Sequence, residues 1–378
     1  MAYSDGMLRW ESGRVIAHRR GWPGVASLQV EVTGADGAPE TLRALAYTEL
    51  VGTPQVGETV DLNTNALRRG LGTGGDAIVV SRRDDSPDAA EIAGHMMKLR
   101  YTPMQTMVDA LDDPASPHYA RISHARDVEG MPVVVADLHS SLAPIVAGIR
   151  AEAPSARIVY VMTDGAALPA AYSRTLAALR ERGLVTASVT AGQAFGGDLE
   201  AVTVHSALLG ARHVLEADVA VVIQGPGNLG TGTGWGFSGV QAGDVLNAAG
   251  VLGGAPIGAL RVSEADERAR HRGLSHHSAT AYGRMTLVPA RFPVLAPRRA
   301  GDWVFHAQVT AQVEQLIIEQ AARRGLVHEL VEVPDDGLLA ALQALPVRLS
   351  TMGRGLEEDP ASFVYGALAG RAAASLIV

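Results

Sequence analysis

Residues 225–239 read GPGNLGTGTGWGFSG and place seven glycines in fifteen positions. Ordering a glycine costs roughly 0.5–1 kcal/mol more than ordering an alanine, so this segment needs a backbone that turns sharply or approaches another group closely. It follows the apolar run 218–224, which is typical of a buried strand. Exposed N–H groups between a strand and a helix bind anions. The predicted anion-binding residues are Gly225, Gly227, Asn228, Gly230 and Thr231.

The same segment has the Gly-x-Gly-x-x-Gly spacing of dinucleotide-binding proteins, with two departures. The helix is delayed from Gly230 to about Ser238, and the next strand ends near Arg261 rather than at an acid that would bind a ribose. Arg261 would suit the 2′-phosphate of NADP, so an NADP-dependent oxidoreductase remains an alternative, with no cofactor assigned. Thr231 rather than lysine follows Gly230, which excludes a Walker A motif.

A second group of candidate residues lies in 268–277, where three arginines and three histidines occupy ten positions. Guanidinium groups bind phosphate and carboxylate bidentately. We therefore expect Arg270, His271 and Arg272 to close over the anion. A solvated loop or a contact with another copy of the chain would have the same composition, which leaves a homo-oligomer open.

Two pairs of residues raise the question of a metal ion. His276 and His277 are adjacent, and in a regular helix or strand their side chains would point apart. Asp137 and His139 lie two residues apart after a predicted strand, so they could bind a metal ion from one side. A hydrogen-bonded Asp–His pair is the commoner arrangement. The sequence alone leaves the metal unknown.

Polar or glycine-rich loops follow each apolar run of the second half of the chain. Because the carboxyl ends of parallel strands meet at one edge of a sheet, where open α/β sheets bind ligands, these loops should converge on one crevice. Polar loops also follow strands that bind nothing. Asp137, His139 and Asp164 are the predicted acid–base or metal-binding set. Gly192 and Gln193 are predicted to help bind the ligand.

The elements that must position these residues divide the chain into two parts. Residues 8–82 contain five short, partly alternating segments between Gly, Pro and Asp turns, which predicts a small all-β barrel-like module or sandwich. The polar segment 83–94 is the predicted linker. In 95–378, continuous apolar runs alternate with helical stretches, as in βαβ units covered on both faces. We therefore predict a doubly wound, mostly parallel, Rossmann-like α/β domain of three layers.

Composition narrows the class of partner. The 378 residues include 40 acidic and 32 basic residues, and the net charge of −8 argues against nucleic acid. The sequence has no cysteine, which excludes disulfides, thiolate metal sites and a cysteine nucleophile. No apolar run approaches the ~20 residues of a spanning helix, and the first residues lack the apolar stretch of a signal peptide. We expect a cytoplasmic protein without a membrane partner.

Three stretches resemble the motifs of one protein family. They are GHMMKLRYTPMQ at 94–105, the glycine-rich segment at 225–239, and RHRGLSHH at 270–277. They are similar to domain-of-unknown-function family 3866 of Gram-positive and related bacteria. The resemblance spans nearly the whole chain and implies no activity, substrate or catalytic residue. Within the first stretch, Thr102 followed by Pro103 predicts the start of a helix.

The functional prediction therefore depends on the loops. The favoured hypothesis is an enzyme that acts on a small anionic metabolite, phosphorylated or carboxylated, by acid–base or hydrolytic chemistry. The alternative from another class is a non-catalytic sensor whose α/β domain binds a metabolite. Perturbed pKa values in the crevice would favour the enzyme, whereas a sensor needs only groups that bind the ligand.

Overall fold

The computed structural model describes residues 8–72, 74–83, 94–297 and 303–377. The chain forms two compact units, Met1–Val108 and Asp109–Val378. The predicted linker, 83–94, lies outside the described residues except for its two end positions.

The first unit contains a closed five-stranded barrel. Alternation of side chains forms its core, as in the second strand, where Leu28, Val30 and Val32 are buried and Glu31 is exposed. The strands are β1 (Trp10–Trp22), β2 (Val25–Thr33), β3 (Pro39–Tyr47), β4 (Thr59–Asn63) and β5 (Ala77–Arg82), with short helices α1 (Thr48–Val51) and α2 (Asn65–Arg68). Their order is β1-β2-β3-β5-β4, closed by pairing of β4 with β1. The predicted small β-barrel is confirmed.

A hairpin of β6 (Met96–Lys98) and β7 (Thr106–Val108) ends the first unit. The helix predicted at Thr102 is wrong, because this residue lies in the turn between the two strands. Its Oγ1 donates a hydrogen bond to the Leu99 carbonyl oxygen at 2.8 Å. Leu99 and Tyr101 adopt left-handed φ values of 51° and 61°, which no helix allows.

The second unit is built on an eight-stranded sheet. Its strands are β8 (Pro132–Ala136), β9 (Ile158–Thr163), β10 (Ala187–Ala191), β11 (Leu199–Ala201), β12 (Val219–Gln224), β13 (Ala255–Gly258), β16 (Arg291–Leu295) and β17 (Glu329–Val333). The short strands β14 (Val262–Ser263) and β15 (Gly273–Leu274) form a separate antiparallel pair. Neighbouring strands are parallel in the order β11-β10-β9-β12-β8-β13-β16-β17. Every residue of β8, β9, β10 and β12 is buried, as expected for strands covered on both faces. The predicted Rossmann-like α/β fold is confirmed.

Helices flank this sheet in two groups. In the first group α4 packs against α5, α11 and α12, and in the second α6 packs against α7. The helices of the second unit are α3 (Tyr119–Ile122), α4 (Leu142–Glu152), α5 (Arg174–Glu181), α6 (Val204–His213), α7 (Gln241–Val251), α8 (His276–Thr280), α9 (Trp303–Val313), α10 (Glu319–Ala322), α11 (Leu338–Gln343) and α12 (Ala361–Ala374). No helix within the described ranges is long and apolar enough to cross a lipid bilayer.

The chain changes direction along the sheet at β8 and β12, which are neighbours. Helix α4 leads from β8 towards β9, whereas α7 leads from β12 towards β13 on the opposite side of β8. With right-handed connections, the two helices leave the strands on opposite faces. Open α/β sheets bind ligands at such a position, and we call the region around the loops after β8 and β12 the crevice.

Candidate functional site at the carboxyl ends of β8 and β12

Asp137 directly follows β8 and lies in this crevice with a relative exposure of 1%. Its backbone carbonyl oxygen accepts hydrogen bonds from Gln224 Nε2 at 3.0 Å and Asn228 Nδ2 at 3.4 Å, both from the β12 side. Its Oδ2 atom accepts no hydrogen bond from the described residues. Arg261 Nη1 lies 3.8 Å and His277 Nδ1 3.5 Å from that oxygen. A buried carboxylate oxygen without a donor is costly, which makes Asp137 a candidate for a functional role.

The ring of His277 is fixed by two neighbours. It stacks on Phe237, with ring centroids 3.7 Å apart and an interplanar angle of 1°. Its Nδ1 lies 2.9 Å from Arg261 Nη1. A guanidinium group can only donate, so Nδ1 accepts this hydrogen bond and the neutral ring carries its proton on Nε2. Because Phe237 belongs to the glycine-rich segment, that segment helps to position the His277 ring.

His271, His276 and His277 form a cluster. Each ring offers a nitrogen, and these nitrogens lie within 4.8 Å of one another. The expectation that His276 and His277 point apart is wrong: their ring centroids are 4.4 Å apart. They occupy the first two positions of the five-residue helix α8, where Ser275 Oγ caps the His277 N–H. His271 ends a short helical turn, Ala269–His271, that precedes α8, and its Nδ1 lies 2.8 Å from Ser275 Oγ.

The histidines of this cluster have low proton affinity. Burial, reinforced by the charge of Arg261 nearby, lowers the pKa of His271 to about 3. Burial, with further contributions from His277 and Arg270, lowers the pKa of His276 to about 4. Both imidazoles are therefore neutral at neutral pH and offer unprotonated nitrogens.

A buried carboxylate network holds the segment that carries these histidines. Asp359, which is fully buried, accepts hydrogen bonds from Ser263 Oγ at 2.6 Å, the Glu264 N–H at 2.9 Å and Arg354 Nε at 3.0 Å. Arg354 also contacts Asp266, whose pKa is held well below its usual value mainly by hydrogen bonds from the Arg268 guanidinium. Sequence reasoning missed this network because its members lie up to 96 residues apart.

The glycine-rich segment folds back on itself before its helix. Leu229 and Ser238 are joined by hydrogen bonds from the Leu229 N–H to Ser238 Oγ at 3.1 Å and from the Ser238 N–H to the Leu229 oxygen at 2.9 Å. The Thr231 N–H donates to the Gly236 oxygen at 2.7 Å. A helical turn begins at Ser238, as predicted, and continues into α7. The segment is thus a short hairpin rather than a direct strand-to-helix turn.

The glycines of this segment serve different purposes. A Cβ atom added at Gly225 would lie 2.3 Å from the Ala167 carbonyl oxygen, so this glycine allows the loops after β9 and β12 to touch. One added at Gly239 would lie 2.8 Å from the Asp137 Cβ atom. At Gly230, by contrast, no such atom would come closer than 3.6 Å to a neighbour. Close packing therefore explains Gly225 and Gly239, but not Gly230.

Arg270 lies beside the exposed part of this segment. A Cβ atom added at Gly232 would be 3.7 Å from Arg270 Nη2. Arg270 and Arg272 are both exposed. Within the described part of the chain, the N–H groups of Gly230 and Gly232 have no protein acceptor, since the hydrogen bonds of the hairpin use other residues. An exposed guanidinium group thus lies beside an exposed glycine whose N–H group has no acceptor among the described residues.

His139 points away from Asp137. Its Nε2 lies 2.7 Å from Ser173 Oγ and its Nδ1 3.2 Å from the Tyr160 hydroxyl. That hydroxyl donates to the Ile223 carbonyl oxygen at 3.1 Å, so Nδ1 donates to it and Nε2 accepts from Ser173. The expected hydrogen-bonded pair of Asp137 and His139 is not formed. Burial lowers the pKa of His139 to about 4.

Asp164, Gly192 and Gln193 form a contact of their own between the loops after β9 and β10. Asp164 Oδ2 accepts a hydrogen bond from the Gln193 N–H at 2.8 Å. A Cβ atom added at Gly192, whose φ is 67°, would lie 2.2 Å from that oxygen. The structure therefore places these three residues with each other, whereas Asp137, Asn228 and His271 are brought together with Arg261, His276 and His277.

Residues 43–370 match a family model described as "Protein of unknown function (DUF3866)". The chain belongs to the DUF3866 family. The match to DUF3866 begins within β3, so it includes β4 and β5 of the barrel but not β1 and β2, and it includes every residue of the crevice described above. No curated protein and no solved structure matches the chain.

In this DUF3866 protein, two residues of the crevice, Phe237 and Arg261, were not predicted from the sequence as members of the site. Phe237 gave no chemical signal, because its role is to fix a ring from another loop. Arg261 was noticed only as a substitute for a ribose-binding acid, whereas its side chain is turned inwards against His277 and Asp137. The polar end of β13 next to the histidine-rich stretch was the available signal for Arg261.

Proposed function

We propose that this DUF3866 protein is an enzyme that binds a small anionic metabolite in the crevice and acts on it by acid–base or hydrolytic chemistry. The observation that carries the proposal is the position of the exposed Arg270 beside Gly232 of the glycine-rich hairpin, whose N–H group has no acceptor among the described residues. Phosphate and carboxylate groups are the natural partners of such donors. The proposed setting is the cytoplasm, without nucleic acid or membrane as a partner.

The charges of the crevice support an anion rather than a neutral ligand. Arg270 and Arg272 are exposed, and Arg261 lies below them with only 12% of its side chain accessible. Asp137 is the one buried carboxylate in contact with Arg261 in the described crevice, so its negative charge balances the positive charge of Arg261. The positive charges of Arg270 and Arg272 are not balanced in this way. An exposed pair of guanidinium groups attracts anions and orients them.

The acid–base part of the proposal depends on His276 and Asp137. His276 Nε2 is buried and has no hydrogen-bond partner within the described residues, so it is available to accept a hydrogen bond from a bound hydroxyl group or water, and a proton once a neighbouring negative charge raises its affinity. The Asp137 carboxylate lies next to the cluster and would stabilise a positive imidazolium ring there. The other two residues of the predicted catalytic set have contacts of their own: His139 bonds Ser173, and Asp164 bonds the Gln193 N–H.

Replacing Arg270 with alanine is expected to weaken anion binding about 10- to 100-fold, since a hydrogen bond to a charged group contributes roughly 1.5–3 kcal/mol. A thermal-shift screen over phosphorylated and carboxylated metabolites, nucleotides and NADP identifies the ligand, and calorimetry at low and high salt measures its affinity. The Arg270→Ala variant should also show a smaller salt dependence. Gly230→Val should fold, because a side chain fits there, and should weaken binding by covering the N–H groups.

Arg182→Ala is the matched control, since Arg182 is an exposed arginine at the end of α5, towards the amino-terminal edge of the sheet. Equal affinities of the Arg270 and Arg182 variants, or a screen in which no anion binds, would contradict the proposal. Selective binding of NADP would favour the oxidoreductase. An anion that binds tightly but is never converted, as followed by mass spectrometry, would favour the sensor.

A further inference from the structure

We propose that His271, His276 and His277 bind one divalent transition-metal ion of the Zn²⁺ class. This inference goes beyond the proposed function, and its test needs no anionic ligand. In the metal-bound protein His276 Nε2 would be a ligand and would no longer accept a proton. Three imidazoles are the protein ligands of one class of catalytic zinc site, in which a further position stays open for water or substrate.

The spacing of the three rings is close to that of a metal site. Their nitrogens lie within 4.8 Å of one another. A tetrahedral ion bound at about 2.0–2.1 Å holds its nitrogen ligands about 3.4 Å apart. Small rotations of the side chains would bring the nitrogens to this spacing. The three ring centroids are already within 4.4 to 4.9 Å of one another.

Two of the rings are already oriented as metal ligands are. His271 uses its Nδ1 in the contact with Ser275 Oγ, which leaves its Nε2 for a metal ion. Histidine ligands usually hold their second nitrogen in such a hydrogen bond. His276 Nε2 is buried and has no hydrogen-bond partner in the described part of the chain. A buried ring nitrogen without a partner is costly, and a bound ion would satisfy it.

The third ring explains the unpartnered oxygen of Asp137. In the present state His277 Nδ1 accepts from Arg261, and Asp137 Oδ2, 3.5 Å away, has no donor. Metal binding at Nε2 displaces the proton of that nitrogen and favours a proton on Nδ1. The Nδ1–H group would then donate to Asp137 Oδ2, and Arg261 Nη1, no longer accepted by Nδ1, would turn towards the same carboxylate, 3.8 Å away. The result is the carboxylate–histidine–metal arrangement common in zinc proteins, with Asp137 as a positioning residue.

The charges around the cluster permit a cation. Arg261 and Asp137 oppose one another across 3.8 Å, so these two buried charges balance. Arg270, whose charge also reaches His276, is exposed, so solvent screens its repulsion of a cation. Phe237, stacked on His277, supplies an apolar wall.

The test is metal uptake by the full chain after treatment with a chelator. We expect one Zn²⁺ or Co²⁺ per chain, a visible absorption band typical of tetrahedral Co²⁺, and a higher unfolding temperature with Zn²⁺. His271→Ala and His276→Ala should each weaken binding by at least about 100-fold, and Asp137→Asn by about 10- to 100-fold through the orientation of His277. His205→Ala is the matched control, since His205 is exposed at the start of α6.

His276→Ala removes a nitrogen that makes no hydrogen bond, so this variant should fold, as checked by circular dichroism with chelator present. If the His271→Ala variant does not fold, His271→Asn, which keeps a polar group near Ser275 Oγ and removes Nε2, replaces it. The proposal is overturned if the unaltered protein takes up no more metal than the His276→Ala variant, or if His205→Ala lowers uptake as much. Failure to bind any anion would leave this result unaffected, so the two proposals can fail separately.

Discussion

An alanine at Gly148 or Gly370 is expected to lower the free energy of unfolding of the second unit by about 3 kcal/mol or more, the upper range for overpacked cores. These glycines lie where α4 and α12 cross. A Cβ atom at Gly148 would lie 1.9 Å from the Ala367 carbonyl oxygen, and one at Gly370 would lie 2.0 Å from that of Ile145. Both neighbours are backbone atoms, so the helices themselves would have to separate.

The sign of this effect distinguishes packing from helix propensity. In an exposed helix, replacing glycine with alanine stabilises by roughly 1 kcal/mol. Denaturation by urea, followed by circular dichroism, measures the change. The matched control is Gly366→Ala in the same helix pair, where the nearest atom would be the side-chain Cβ of Pro144 at 3.0 Å. We expect a much smaller loss there. A Gly148→Ala variant as stable as the unaltered protein would refute the close crossing of α4 and α12.

Acidification from pH 6.5 to pH 4 is expected to destabilise the second unit, with His139 alone contributing at most about 3 kcal/mol at 1.36 kcal/mol per pKa unit. Burial lowers the pKa of His139 to about 4, that of His271 to about 3 and that of His276 to about 4. The unfolded chain protonates these rings near pH 6.5, whereas the folded chain does not. The unfolded state therefore binds more protons in this window, and the free energy of unfolding decreases as the pH is lowered from 6.5 to 4.

Urea denaturation at closely spaced pH values measures this slope. His139→Gln should lower stability at pH 7, because hydrogen bonds to Ser173 and Tyr160 are lost, yet reduce the pH dependence between 6.5 and 4. His205→Gln, at an exposed position, should change neither. An unchanged slope in the His139 variant would show that this ring is protonated as readily in the folded protein as in the unfolded chain.

Much of the fold was predictable because it depends on short stretches of sequence. Apolar runs such as 132–136 and 219–224 are buried strands, and their spacing required helices between them. Parallel strands then place their following loops at one edge, so the positions of Asp137 and the glycine-rich segment near each other followed from the topology. The turn at Thr102 was not predictable, because left-handed φ values at Leu99 and Tyr101 override the helix-start pattern.

The sequence by itself determined the two fold types, the strands of the crevice and the candidate residues. The tertiary structure alone decided which of these residues meet. Asp137 faces His277 and Arg261 rather than His139, although His139 is two residues away and His277 is 140. Hydrophobic periodicity specifies local backbone conformation, whereas the direction of a side chain at the end of a strand depends on packing. Here that packing comes from Phe237 and the Asp359 network, which belong to distant parts of the chain.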